Sequence, residues 1–229
     1  LPRSVALVHG AGRRAALCCG EFRSRLVRPV LFDRIVVVDW SASSSPTTGA
    51  DSVWIAVADA DVGTGRIRLS NPSTRSAALA EVATAANSVG STLIGVDFSL
   101  GFPRGTAEAL GLVGRPWRAM WELLGSDISD DDRNRNNRFA VASSLNAAVA
   151  NGADGPFWGC PPAQRTDHLT STKPPREVRW PPEWRHVETR LRDEGLRPFS
   201  AWQLLGAGAV GSQSLVGIAA LERLRSNLG

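Results

Sequence analysis

The chain has 229 residues, 43% of them hydrophobic, with 26 Lys+Arg against 22 Asp+Glu, 22 Gly, 14 Pro and 3 Cys. That is enough apolar material for one large domain, which excludes disorder as the overall state; no apolar run reaches the roughly 18 residues of a membrane span, and no repeat of about 20 to 50 residues recurs. The charge is uneven: residues 1–34 hold seven Arg against Glu21 and Asp33, whereas residues 35–229 hold one acid more than they hold bases, so the sequence pI near 9.7 belongs to the N-terminal end and does not mark a basic nucleic-acid-binding body.

Residues 1–31 are Arg-rich and acid-poor without the continuous apolar segment and small-residue cleavage site of a secretory signal, so they read as a poorly ordered extension to a single domain over 32–229. Cys18 and Cys19 are adjacent and Cys160 stands alone. That is no disulfide or zinc framework, and it points to a reducing cytoplasm. His9-Gly-Ala-Gly12 suggests an oxyanion loop, but no Gly-x-Ser-x-Gly elbow follows, which excludes a hydrolase triad.

The domain opens with Arg34-Ile-Val-Val-Val-Asp39, a continuous β-branched run that predicts a central strand buried on both faces and ending in a carboxylate. Ser52 to Ala58 and Arg66 to Leu69 predict two further strands of a β-meander, with a turn over Asp59 to Gly65. The Ala-rich stretch from Ser76 to Val89 predicts a helix stopped by Gly90, and Thr92 to Asp97 a fourth strand that again ends in a carboxylate. Helices follow at Pro116–Leu124 and Arg138–Ala150, the second capped by Asn136 or Asn137. Residues 154–184 contain seven of the prolines and predict a long irregular excursion. Beyond it come a helix over Glu183–Glu194, a strand over Pro198–Leu205 and a helix from Gly211 to Asn227.

Two strands that each deliver an Asp at the C-terminal end are the most informative feature. If they are neighbours, Asp39 and Asp97 lie about 4.8 Å apart in the sheet, where like charges repel unless a proton or a cation sits between them. Mg²⁺ or Mn²⁺ held by these two carboxylates and by substrate phosphate oxygens would resolve the repulsion and serve phosphodiester cleavage. The alternative is that both acids cap backbone amides at strand ends.

Other motifs carry less. Gly206, Gly208 and Gly211 fit the dinucleotide fingerprint, but too little chain follows for its second strand, so they read as a tight turn before a helix. Asp127, Asp130, Asp131 and Asp132 fail the calcium-loop pattern, which puts Asp132 and Arg138 where Gly and Glu are needed, and read as an exposed loop. His168 and His186 have no partner at metal-ligand spacing. Trp158, Trp180 and Trp184, interleaved with Arg165, Arg176, Arg179 and Arg185, either stack bases along a phosphate backbone or pin the proline-rich excursion to the core.

The order β, β, β, α, β with acids on the first and fourth strands resembles the ribonuclease H-like fold, an α/β mixed sheet flanked by helices. Val38-Asp-Trp-Ser41, Gly95-Val-Asp97-Phe-Ser-Leu-Gly101-Phe-Pro103, Gly155-Pro-Phe-Trp-Gly159, Arg185–Arg190 with Glu188, and Trp202–Gly217 together resemble the DUF429 family over about residues 32–226. The resemblance implies a metal-dependent nuclease with Asp39 and Asp97 as catalytic acids and Mg²⁺ or Mn²⁺ ligands acting on a nucleic acid or nucleotide; Glu188 is the candidate third catalytic acid, the alternative being a solvated helix-surface Glu, and Ser41, Ser99, Trp158 and Arg185 are the candidate substrate contacts. It also implies a further C-terminal strand ending in Glu-x-x-Pro beyond the equivalent of Leu224-Arg225, which this sequence lacks. A nucleotide-binding or phosphotransfer protein of actin-like kind, with Asp39–Ser41 and Asp97–Ser99 facing phosphates, and a catalytically inactive fragment are the competing readings.

Overall fold

A computed structural model describes residues 5–9, 31–59, 67–88, 90–150, 154–206 and 208–228. Most of the extension expected over 1–31, with Cys18 and Cys19, and the turn expected after Asp59 lie outside the described residues. The architecture is mixed α/β. Its strands are β1 (Val5–His9), β2 (Arg34–Asp39), β3 (Trp54–Asp59), β4 (Ile67–Ser70) and β5 (Thr92–Val96), in the sheet order β1-β5-β2-β3-β4. β2, β3 and β4 form an antiparallel meander, and β5 pairs with β2 in parallel. The edge strand β1 comes from the segment read as an extension and lies parallel to β5.

The helices are α1 (Arg75–Ala86), α2 (Thr106–Ala109), α3 (Pro116–Asp127), α4 (Arg138–Ala150), α5 (His186–Asp193) and α6 (Gly211–Leu228). Each long helix begins where its sequence supplies a start. Thr74 accepts the Ala77 N–H at the head of α1, and Pro116 opens α3 with a ring whose fixed φ suits a first turn. The four-residue α2 carries no apolar period long enough to be read from sequence.

Helices α1 and α6 cover one face of the sheet. Val36, Val38, Ile55, Val57, Ile94 and Val96 point into that layer and form one core with Ala78 and Val82 of α1 and with Leu215, Val216, Ile218 and Ala219 of α6. Helix α6 is buried on nearly every side, which its run of small and apolar residues permits. Gly217 is required there, since a Cβ at that position would collide with the Phe98 ring. Leucine-sized burial in such a core contributes about 1.5–3 kcal/mol per side chain.

The expectation that β2 is buried on both faces is corrected. Val36 and Val38 are buried, but Ile35 is 43% and Val37 53% exposed, because no described element covers the opposite face of the sheet. The residues alternate by the period-2 geometry of a strand, and a β-branched run cannot reveal from composition which alternate face finds a partner.

The strand expected over Pro198–Leu205 is also absent. Only an isolated parallel bridge joins Gln203 to Trp158, because the proline-rich excursion offers no continuous neighbouring strand for a ladder. The excursion is held by side chains instead. Asn146 of α4, fully buried, donates from Nδ2 to the Phe157 and His168 carbonyls and accepts the Phe157 N–H. Phe157 packs edge-on to Trp202 at 4.8 Å, and Phe102 stacks on Trp202 at 5.4 Å.

Candidate functional site

Strand register places the two acids side by side. Val38 is the partner of Val96 in the parallel pair β2–β5, so Asp39 and Asp97 follow in the next position of neighbouring strands. By strand alternation both belong to the open face of the sheet, with Ile35 and Val37 below Asp39, and both residues are exposed to solvent. Trp54, the cross-strand partner of Asp39 on β3, occupies the same face and donates its indole N–H to the Gly49 carbonyl at 2.9 Å.

The backbone around the pair is fixed from three directions. The Trp40 N–H donates to Asp97 Oδ1 at 2.9 Å, tying the end of β2 to the acid that follows β5. Gln213, in the first turn of α6, donates from Nε2 to the Trp40 carbonyl at 2.6 Å. Arg75, at the head of α1, donates from Nη1 to the carbonyls of Ser41 at 3.0 Å and Ser43 at 2.7 Å. The helices that build the core thus also set the position of Asp39.

Electrostatics separate Asp97 from ordinary surface acids. Asp97 has its pKa raised to about 6, first because the protein beside its carboxyl displaces part of its water and then because Asp39 stands next to it, while the Trp40 N–H pulls it back toward ionisation. Chemically, two neighbouring carboxylates present oxygen acceptors of the kind that a proton or a hard cation takes.

The remaining sequence-predicted residues are distributed. Ser41 is buried and structural, donating to the Asp51 carbonyl at 2.9 Å and accepting the Ser43 N–H. Ser99 is buried just beyond Asp97. Trp158 is half-buried and lines a crevice of about 10 Å³ with Trp180 and Trp202, where it braces the excursion.

Glu188 does not join the two aspartates. It is buried at the start of α5, where it accepts the Arg185 backbone N–H at 2.9 Å and the Arg185 guanidinium at 2.9 and 3.0 Å, so each of these two residues consumes the other. Among the described residues no group of three or more His, Cys, Asp and Glu stands together as a metal cluster. A Glu three positions from an Arg at a helix start satisfies a local cap more readily than a distant ligand set.

The structure also adds residues the sequence reading passed over. The acidic run read as an exposed loop contains Asp130, whose buried carboxylate takes both Nε and Nη2 of Arg75 at 2.6 Å. Asn134, also buried, takes the Arg75 backbone N–H at 2.8 Å. Arg138 at the start of α4 is buried without a carboxylate within ion-pairing distance among the described residues. The faint signal in the sequence was the position of Arg75 and Arg138 at helix starts, where arginine is disfavoured by the dipole.

The Gly206–Gly211 turn behaves as read. Gly206 and Gly208 have φ of +112° and +74°, and a Cβ on Gly211 would press against the carbonyls of Ala201 and Gln203. Comparison with protein-family models, curated proteins and solved structures returned no match.

Proposed function

We propose that this protein is a divalent-metal-dependent phosphodiesterase on a ribonuclease H-like sheet, with a nucleic acid or nucleotide as substrate. The observation that carries the reading is the adjacency of Asp39 and Asp97 in parallel register at one end of the sheet. The strand order β5-β2-β3-β4, with acids at the ends of β2 and β5, supports the architecture.

The donors fit a hard cation. Two carboxylates on neighbouring strand ends, one of them resisting ionisation through partial burial and the charge of the other, are oxygen ligands whose repulsion a divalent ion removes. Asp39 and Asp97 would hold Mg²⁺ or Mn²⁺, and the ion, when bound, supplies a Lewis acid for the phosphoryl oxygens and a water of lowered pKa. The chain itself contributes position. The Trp40 N–H keeps Asp97 Oδ1 in place, and Gln213 keeps the Trp40 backbone in place, so the Asp97 carboxylate is already oriented when substrate arrives. Trp54 walls the Asp39 side of the site with an exposed aromatic surface.

The test is a panel of labelled oligonucleotides incubated with Mg²⁺ or Mn²⁺. Metal-dependent cleavage by the wild-type chain, lost in folded Asp39→Asn and Asp97→Asn, is the expected result. An absence of cleavage together with a thermal shift on ATP with Mg²⁺ transfers the site to the phosphotransfer reading. An absence of any metal-linked or nucleotide-linked response overturns both.

A further inference from the structure

We propose that the junction of the 41–45 loop with the first turns of α4 and α6 is an oxyanion-binding site that takes a phosphate group on Arg138 and Ser44. The case starts from an uncompensated buried charge. Arg138 is 8% exposed, and its polar partners are neutral: Nε donates to Ser212 Oγ at 3.0 Å, and Nη1 donates to Ser44 Oγ at 2.8 Å and Asn136 Oδ1 at 2.7 Å. The Phe139 ring lies 4.3 Å from the guanidinium carbon. A guanidinium taken out of water is costly unless an anion accompanies it.

The nearest acid does not serve. Asp130 gives both carboxylate oxygens to Arg75, and Arg75 in turn repels Arg138. The buried set of Arg75, Asp130 and Arg138 therefore carries one positive charge in excess. Burial and Arg75 together lower the Arg138 pKa to about 10, with Asp130 opposing them weakly, which is the signature of a cation short of a partner.

Two helix starts add to the same field. Arg138 is the first residue of the 13-residue α4 and Ser212 the second of the 18-residue α6, so the Arg138–Ser212 hydrogen bond brings the positive ends of two helix dipoles together. Ser212 is committed, since its hydroxyl donates to the Leu204 carbonyl at 2.6 Å. Ser44 is the exposed member of the set and opens it to solvent, and Nη2 of Arg138 is the nitrogen those three bonds leave unused. A planar fork beside a hydroxyl matches a tetrahedral oxyanion.

Ser44 lies five residues beyond Asp39 on the loop that Arg75 holds. Resting on the phosphodiesterase reading, the site would hold a substrate phosphate adjacent to the one at the Asp39–Asp97 pair. The anion site itself stands without that reading.

The experiment measures binding of inorganic phosphate to the intact chain by titration calorimetry against chloride at matched ionic strength, without divalent metal. Saturable phosphate binding is expected, weakened at least about tenfold by Arg138→Gln and unchanged by Glu188→Gln. Ser44→Asp provides a second route should Arg138→Gln fail to fold: a resident carboxylate beside Arg138 should abolish the phosphate response and raise the melting temperature in phosphate-free buffer. A wild-type chain that prefers phosphate no more than chloride, a folded Arg138→Gln that binds it undiminished, or a Ser44→Asp chain that still takes phosphate overturns the proposal. A dinucleotide with and without a 5′-phosphate separates a terminal phosphate from a backbone diester as the natural source. Phosphate binding without oligonucleotide cleavage would retain this site and reject the phosphodiesterase reading; cleavage without phosphate binding would do the reverse.

Discussion

Two charged pairs flank the loop that follows β2, and they are built on opposite plans. Arg75 and Asp130 are opposite charges, buried and matched bond for bond, with the leftover donors of Arg75 satisfied by backbone carbonyls. Asp39 and Asp97 are like charges at the solvent edge, and the one donor held against them by a described hydrogen bond is the Trp40 N–H. The first pair spends its interactions on holding the loop, and the second is left with coordination capacity. A matched ion pair has nothing to offer a ligand, whereas a repelling pair in a fixed frame is stabilised by whatever positive species arrives.

The sharpest way to break this contrast is to remove the staple. Arg75→Ala strands the Asp130 carboxylate in the interior and should destabilise the fold by about 3–5 kcal/mol, read as a lower denaturant midpoint. An unchanged midpoint would mean that the loop does not depend on Arg75. Gly217→Ala places a methyl against the Phe98 ring and should cost about 1–3 kcal/mol by overpacking. Because Phe98 follows Asp97, it should also weaken metal binding, and a destabilised variant with intact metal affinity would uncouple α6 from the site.

Glu188→Gln tests the third acid. Loss of its charge against Arg185 should cost about 1 kcal/mol at the start of α5 and leave metal affinity unchanged; a drop in metal affinity would return Glu188 to the ligand set. The last effect has the opposite sign. Asp97 binds its proton more tightly folded than unfolded, with a pKa of about 6 against 3.8, so the native state holds more protons between those values. Stability therefore falls as pH rises from about 4 to about 6 and stays at the lower level above that. Asp97→Asn should remove this slope and raise the melting temperature at pH 8, and a melting temperature that climbs through the same window in the wild type would contradict the shift.

Much of the site was legible in the chain. An apolar run ending in Asp marks a strand end, so both carboxylate-bearing strand ends were legible, but that the two strands are neighbours is a result of the sheet order. The starts of α1, α3 and α4 fell within a residue of expectation because caps and prolines act locally. Glu188 was misplaced because its partner, Arg185, is three residues away and local satisfaction outcompetes a long-range one. Asp130 was misread because nothing between residues 75 and 130 signals that Arg75 reaches across to it.

Alternation, capping and turn chemistry act over a few residues, so the sequence alone determined the meander strands, the longer helices and the two carboxylate ends. Which sheet face found a covering, which arginine obtained a carboxylate and which was left with hydroxyls are outcomes of contacts between residues 50 to 100 positions apart. Only the packed chain decided these, because the energy of a buried charge depends on what surrounds it in space.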